Sequence, residues 1–259
     1  VSYLEKTLSS WKLLKESTQY YHDSLNPLFW DEDEDSADLD PSVRKKLVSI
    51  AEEFYSKYKN IAKNVPIEDI QLTGSIANYN YTDFSDLDVH VLVDFDKIDA
   101  PKKLTKAAFD GIRFVWNVRH DIRIRGHEVE VYVQDIKEPH KSTGLYSLLN
   151  NEWIKKPNHK EPDIRDEDIE KKYLSISSEI DSLESKLISS EKIPSNAKEL
   201  YDLATKRKDK IMKMRKEALS KGGEFSIGNL AFKKLRNSGY IGRLIDLISK
   251  SYDRIYSEE

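Results

Sequence analysis

Apolar positions recur at helical spacing near the start of the chain. Leu4, Leu8, Trp11 and Leu14 predict a helix over residues 2–22, which Leu25-Asn26-Pro27-Leu28 interrupts. An acidic stretch follows and reads as a surface loop. Asp40-Pro41 then signals a helix start, with Asp as the cap and Pro at the first helical position. Leu47, Ile50, Ala51, Phe54, Tyr58 and Ile61 form its apolar face, and Val65-Pro66 ends it. The period next changes to that of strands. Ile67–Thr73 predicts a short strand running into Gly74-Ser75, and Asp88–Phe95 predicts a second, rich in β-branched residues. Ala100-Pro101 opens a helix to about Val118. Ile122–Ile124 and Val129–Val133 flank Arg125-Gly126-His127-Glu128, a hairpin signal. Leu145–Ile154 fits either a hairpin turning at Asn150-Asn151 or a broken helix.

From Asp166 onward the period is helical throughout. One helix is expected over 166–189, a second over 195–220, and a third from about Ser226 to Tyr256. The expected fold class is therefore α+β: a mixed β-sheet core with helices, followed by an all-helical C-terminal domain. Expected boundaries are 1–40 for an N-terminal helix and acidic loop, 41–160 for the core, and 161–259 for the helical domain.

Composition narrows the classes. The chain has 259 residues, 38% hydrophobic and 34% charged, enough for one large domain or two modest ones. No apolar run approaches the roughly 20 residues a membrane span needs, and the first residues lack the sectors of a signal peptide. The absence of cysteine excludes disulfides and thiolate metal sites. These features lead to the expectation of a cytoplasmic protein with no membrane partner. The net charge of −4 does not advertise nucleic-acid binding, but the charge is uneven. Residues 31–40 hold seven acids, whereas residues 206–221 hold eight Lys or Arg against two acids.

Candidate chemistry lies between the two strands. Asp86 and Asp88 are two residues apart at the second strand, so on a strand they share a face. Adjacent carboxylates repel unless cations lie between them, and hard oxygen ligands suit Mg²⁺ together with substrate phosphates. Gly74 lets backbone approach a phosphate, and Ser75 offers a hydroxyl and the start of a helix whose N–H groups favour an anion. A third carboxylate is available on the later strand. Glu130 is preferred, with Glu128 on the same face and nearer the turn. Such a set describes phosphoryl or nucleotidyl transfer.

Gly-Ser, ten residues, then Asp-Leu-Asp on a strand, then an acid on a later strand resembles the DNA polymerase beta-type nucleotidyltransferase superfamily. Asp69–Ser75 with Asn78-Tyr79-Asn80-Tyr81 is similar more narrowly to compact phage-encoded members, for which the location would be the host cytoplasm. The resemblance covers about residues 65–135. It implies that Asp86, Asp88 and Glu130 hold two Mg²⁺ ions, with Mn²⁺ as the alternative. It further implies that Gly74 and Ser75 hold the triphosphate of an NTP, and that NMP passes to an acceptor hydroxyl on RNA, protein, a nucleotide or a small molecule. The chain departs from the pattern in having Glu as the third acid and Ala77-Asn78 where many small members carry Arg. The competing readings are a nucleotide- or RNA-binding module without turnover and a helical interaction protein. Other candidates are weighed against plainer roles. His90 shares the face of Asp88 but reads first as a hydrogen-bonded strand histidine. Arg123 and Arg125 either meet phosphates or pair with Glu128 and Glu130. Lys233, Lys234, Arg236 and Arg243 are candidates for lining a nucleotide cleft. The basic segment 206–221 is either an RNA contact or a solvated face.

Overall fold

The computed structural model describes residues 21–33, 36–57, 65–140, 142–159, 164–189 and 197–257. The helix expected over 2–22 falls almost wholly outside the described residues. The chain divides into two compact units, Val1–Glu161 and Pro162–Glu259.

In the first unit the acidic stretch is not a plain loop. Strands β1 (Trp30–Glu32) and β2 (Ala37–Leu39) pair antiparallel as a small hairpin. Asp31 and Asp38 alternate with Trp30 and Leu39, which are buried, so the hairpin has an apolar side that the acid count concealed. Helix α1 (Pro41–Ser56) follows, with the Asp40 carboxylate accepting from the Ser42 and Val43 N–H groups at 2.8 and 3.2 Å. This satisfies donors that a helix start otherwise leaves open. The Ser42 and Arg125 side chains also donate to that carboxylate, and its pKa is held well below the usual carboxylate range.

The main sheet has the strand order β5-β6-β4-β3-β7-β8. These strands are β3 (Asp69–Thr73), β4 (Leu87–Val93), β5 (Arg123–Ile124), β6 (His127–Asp135), β7 (Leu145–Ser147) and β8 (Glu152–Lys155). All neighbours are antiparallel except β4 and β6, which are parallel. A parallel pair needs a crossover. It is supplied by helix α2 (Lys102–Arg119), reached from β4 through a short 3₁₀ turn at Phe95–Lys97. The β5–β6 hairpin turns on Arg125-Gly126, where both residues have positive φ (52° and 90°), the geometry a two-residue turn requires. The ambiguous segment resolves as the β7–β8 hairpin, with Asn151 at φ 58°.

Alternation sorts the sheet into two faces. Ile70, Leu72, Leu87, Val89, Val91, Val129, Val131 and Val133 are buried on one, in a core that also contains Leu47, Ala51 and Phe54 of α1 and Phe109 and Trp116 of α2. At roughly 25 cal/mol per Å², each buried Leu, Val or Phe contributes about 1.5–3 kcal/mol to folding. The other face carries Asp69, Gln71, Thr73, Asp88, His90, Glu130, Tyr132 and Gln134. Here polar groups dominate.

The second unit is helical among its described residues: α3 (Asp166–Ser189), α4 (Ala197–Gly222), α5 (Ile227–Asn237) and α6 (Tyr240–Tyr256). The single long helix expected over 226–256 is two helices. Gly239, at φ 81°, takes the left-handed conformation between them, and Gly239 N–H bonds to Arg236 O at 3.0 Å. Asn237-Ser238-Gly239 is a helix-stop sequence that a purely apolar period overlooks. Tyr173, Ile176 and Ile180 of α3, Leu200, Ala204 and Ile211 of α4, Phe232 and Leu235 of α5, and Leu244 and Leu247 of α6 form its core. Arg243 pairs with Asp181 and Glu184, and Lys234 with Glu170. These two candidate cleft cations therefore tie helices of the bundle together.

Candidate active site

Strand pairing places the candidate acids. Thr73 of β3 lies opposite Asp88 of β4, and Asp88 lies opposite Glu130 of β6. Neighbouring strands are about 4.8 Å apart, so Thr73, Asp88 and Glu130 form one row across the polar face. Glu128 lies one pleat nearer the hairpin, opposite Arg123, with their charged groups 3.6 Å apart. Arg123 is thus a cross-strand partner of Glu128. Arg125 turns away to Leu28 O and the Asp40 carboxylate. Asp86 precedes the first residue of β4 by one position and is partly exposed, as are Asp88 and Glu130.

Gly74 ends β3 in the left-handed region, at φ 75°. A Cβ built there would lie 1.9 Å from Asp88 Oδ2 and 2.8 Å from its carboxyl carbon. The glycine therefore leaves the space that the Asp88 carboxylate fills. Residues 74–77 form a turn and not the expected helix start, with Asn78 N–H bonding to Ser75 O at 3.1 Å. The chain is diverted there by Asn78, whose side-chain oxygen accepts from the Tyr79 N–H and whose amide donates to Thr143. Without a helix, any anion held at Gly74-Ser75 would rely on turn N–H groups and not on a helix dipole.

Several supports of this loop were not legible as such. Ser85 is buried and joins the loop's two ends. Its hydroxyl receives the Ser75 hydroxyl at 2.9 Å and the Thr82 N–H at 2.9 Å, while its carbonyl accepts from His127 Nδ1 at 2.6 Å. Glu32 of β1 accepts from the Tyr79 hydroxyl at 2.9 Å. Burial, reinforced by that carboxylate, pushes the Tyr79 pKa up. Trp30 Nε1–H donates to Ile76 O at 2.7 Å, and the His22 ring stacks on Tyr81 at 3.8 Å. These partners are some 46 to 59 residues apart in sequence. No local signal links them.

Next to the acid row is a second polar row, Gln71 opposite His90 opposite Tyr132. Gln134 Nε2 donates to Glu138 O at 3.0 Å, which leaves its Oε1 to accept from His90 Nδ1 at 2.6 Å. The proton of His90 therefore sits on Nδ1. Burial lowers its pKa from 6.5 to about 4, so the ring is neutral near pH 7. His90 is thus the hydrogen-bonded strand histidine of the plainer reading. Gln71 donates to Asp69 at 2.9 Å, and its buried Oε1 has no partner among the described residues.

Three carboxylates are hard oxygen donors of the type that takes Mg²⁺, and Gly74 keeps Asp88 accessible to the turn. Among the described residues no three His, Asp or Glu side chains are drawn together closely enough to hold an ion. Like charges on neighbouring strands repel and keep apart unless a cation lies between them. The backbone thus aligns donors without preassembling a cage.

Comparisons with protein-family models, with curated proteins and with solved structures found no match. Among the described residues no helix is long and apolar enough to cross a membrane.

Proposed function

We propose that the first unit is a metal-dependent nucleotidyltransferase that moves NMP from an NTP to an acceptor hydroxyl. The observation that carries this reading is the alignment of Asp88 with Glu130 across the parallel β4–β6 pair, beside a glycine whose missing side chain makes room for Asp88. The resemblance to the DNA polymerase beta-type superfamily rests on the same residues, Gly74-Ser75, Asp86 and Asp88, with Glu130 favoured over Glu128 because Glu128 faces Arg123. The order α1, β3, Gly-Ser, β4, α2, β6 agrees with it.

In this reading Asp86, Asp88 and Glu130 would hold Mg²⁺, which would supply charge neutralisation for the triphosphate and for the acceptor oxygen. Turn N–H groups at Gly74 and Ser75 orient the phosphates, a positioning effect that by itself accounts for a large part of such catalysis. Glu130 takes the acceptor proton as the new O–P bond forms at the α-phosphorus. The bond from that phosphorus to the bridging oxygen breaks in line, and pyrophosphate leaves with the electron pair.

The test is incubation of the full chain with each α-labelled NTP, Mg²⁺ and pooled RNA, protein and small-molecule acceptors. Labelled product and pyrophosphate are expected from the parent chain. Asp86→Asn with Asp88→Asn should lower the rate by about a thousandfold or more, the scale of losing groups that stabilise transition-state charge. Full activity in that double variant would overturn the assignment. NTP binding without metal dependence or turnover would return the chain to the class of binding modules.

A further inference from the structure

The helical unit carries a cleft of about 460 Å³ between α3 and α4, floored by Ile176, Ile211 and Met214. Its walls hold four cations, Lys171, Lys172, Arg207 and Lys210, and two acids, Asp168 and Glu179. Both acids are engaged. Asp168 is bound by Arg165 at 2.9 Å, and Glu179 by Arg207 at 2.6 Å. Among the described residues Lys171, Lys172 and Lys210 have no carboxylate partner, and all three are exposed. The cleft is thus cationic after its internal pairing is complete.

Arg207 adds an independent observation. Its side chain is only 10% exposed, yet its Nε–H is buried without an acceptor among the described residues. Its guanidinium is held by Glu179 at 2.6 Å, so a positive charge is fixed in the cleft wall. The cations also extend beyond the cleft. Lys206, Lys210 and Lys213 follow one another at i, i+4 and i+7 along α4, about 5.4 Å of rise per turn, with Lys213 in an exposed pair with Glu217 at 3.9 Å. A single phosphate needs one cradle, whereas a row of cations at this spacing suits a ligand with repeating negative charge.

We infer that the α3–α4 cleft of the helical unit binds the phosphodiester backbone of a nucleic acid, with Lys171, Lys172 and Lys210 meeting phosphates and Arg207 adding positive charge in the cleft wall. This inference does not depend on the transfer reaction proposed for the first unit. Binding here is through charge and is therefore tolerant of sequence.

Fluorescence anisotropy of the full chain with labelled single-stranded RNA and DNA oligonucleotides tests it. Affinity should rise with oligonucleotide length and fall with salt. Lys171→Glu with Lys210→Glu should weaken binding by about tenfold or more and flatten the log–log salt slope by about 0.7 for each phosphate no longer neutralised. The milder pair Lys171→Gln with Lys210→Gln should give an intermediate loss while helical circular dichroism is unchanged. Lys45→Glu with Lys46→Glu, the same charge change on α1, should have a smaller effect. Equal losses from both glutamate pairs would reduce the cleft to general charge and overturn the proposal. So would absence of oligonucleotide binding at low salt, or tight binding of inorganic tripolyphosphate with no dependence on oligonucleotide length.

Discussion

Asp88 and Glu130 are 42 residues apart and meet because two strands run parallel in one register. Lys171 and Lys172 lie on a single helical turn, as Arg207 and Lys210 do on another, and they meet their neighbours because two helices pack. The sheet of the first unit thus gathers its chemistry through long-range hydrogen bonding, while the bundle of the second displays charge by local period. The contrast predicts different sensitivities. A register is all or none, since a slip of one residue turns every side chain to the other face. A helix face degrades one charge at a time.

The same substitution in each unit separates these cases most sharply. In Gly74→Ala the new Cβ would fall 1.9 Å from Asp88 Oδ2 at a φ of 75°, so the carboxylate has to move. The proposed transferase activity is expected to fall about a hundredfold, the scale of an ångström misplacement, with backbone strain added. Unchanged kinetics in Gly74→Ala would remove Asp88 from the proposed site. A pH titration of stability probes the next largest effect. His90 takes up a proton in the unfolded chain near pH 6.5 but in the folded chain only near 4. Its contribution is therefore present above pH 6.5 and lost as pH falls from 6.5 through 4. At about 1.4 kcal/mol per pH unit this amounts to on the order of 3 kcal/mol. Urea unfolding of the first unit should show that loss, and His90→Gln should largely abolish it. An identical pH slope in the variant would assign the acid lability elsewhere. The smallest effect is expected from Gly239→Ala. Its φ of 81° is equally left-handed, but no atom lies within 4 Å of the added Cβ, so only the backbone is strained. A cost of about 1–2 kcal/mol to the helical unit is expected, with the proposed transferase activity intact. A large activity loss there would erase the distinction between the two glycines.

Much of this was legible along the chain. Asp40-Pro41 announced α1, β-branched alternation announced β4 and β6, and the helical period announced a helical second half. The helix expected to continue through Ser238-Gly239 failed because its apolar period outweighed a local stop signal. The helix expected after Gly74-Ser75 failed for a tertiary reason: Asn78, Tyr79 and Tyr81 are buried against residues 21–32 and Thr143, which hold the segment as a turn.

The sequence by itself determined the mixed and helical halves, and it singled out Gly74-Ser75 with Asp86 and Asp88 as candidates, because period and spacing are local properties. Whether Glu128 or Glu130 stands beside Asp88 was beyond it, since the two share a face and differ only in register. The parallel pairing of β4 with β6 decided that alignment, Ser85 and Glu32 fixed the loop around it, and helix packing set Lys171, Lys172 and Lys210 around one cleft. Each depends on which distant segments come together, and burial of the shared core determines that.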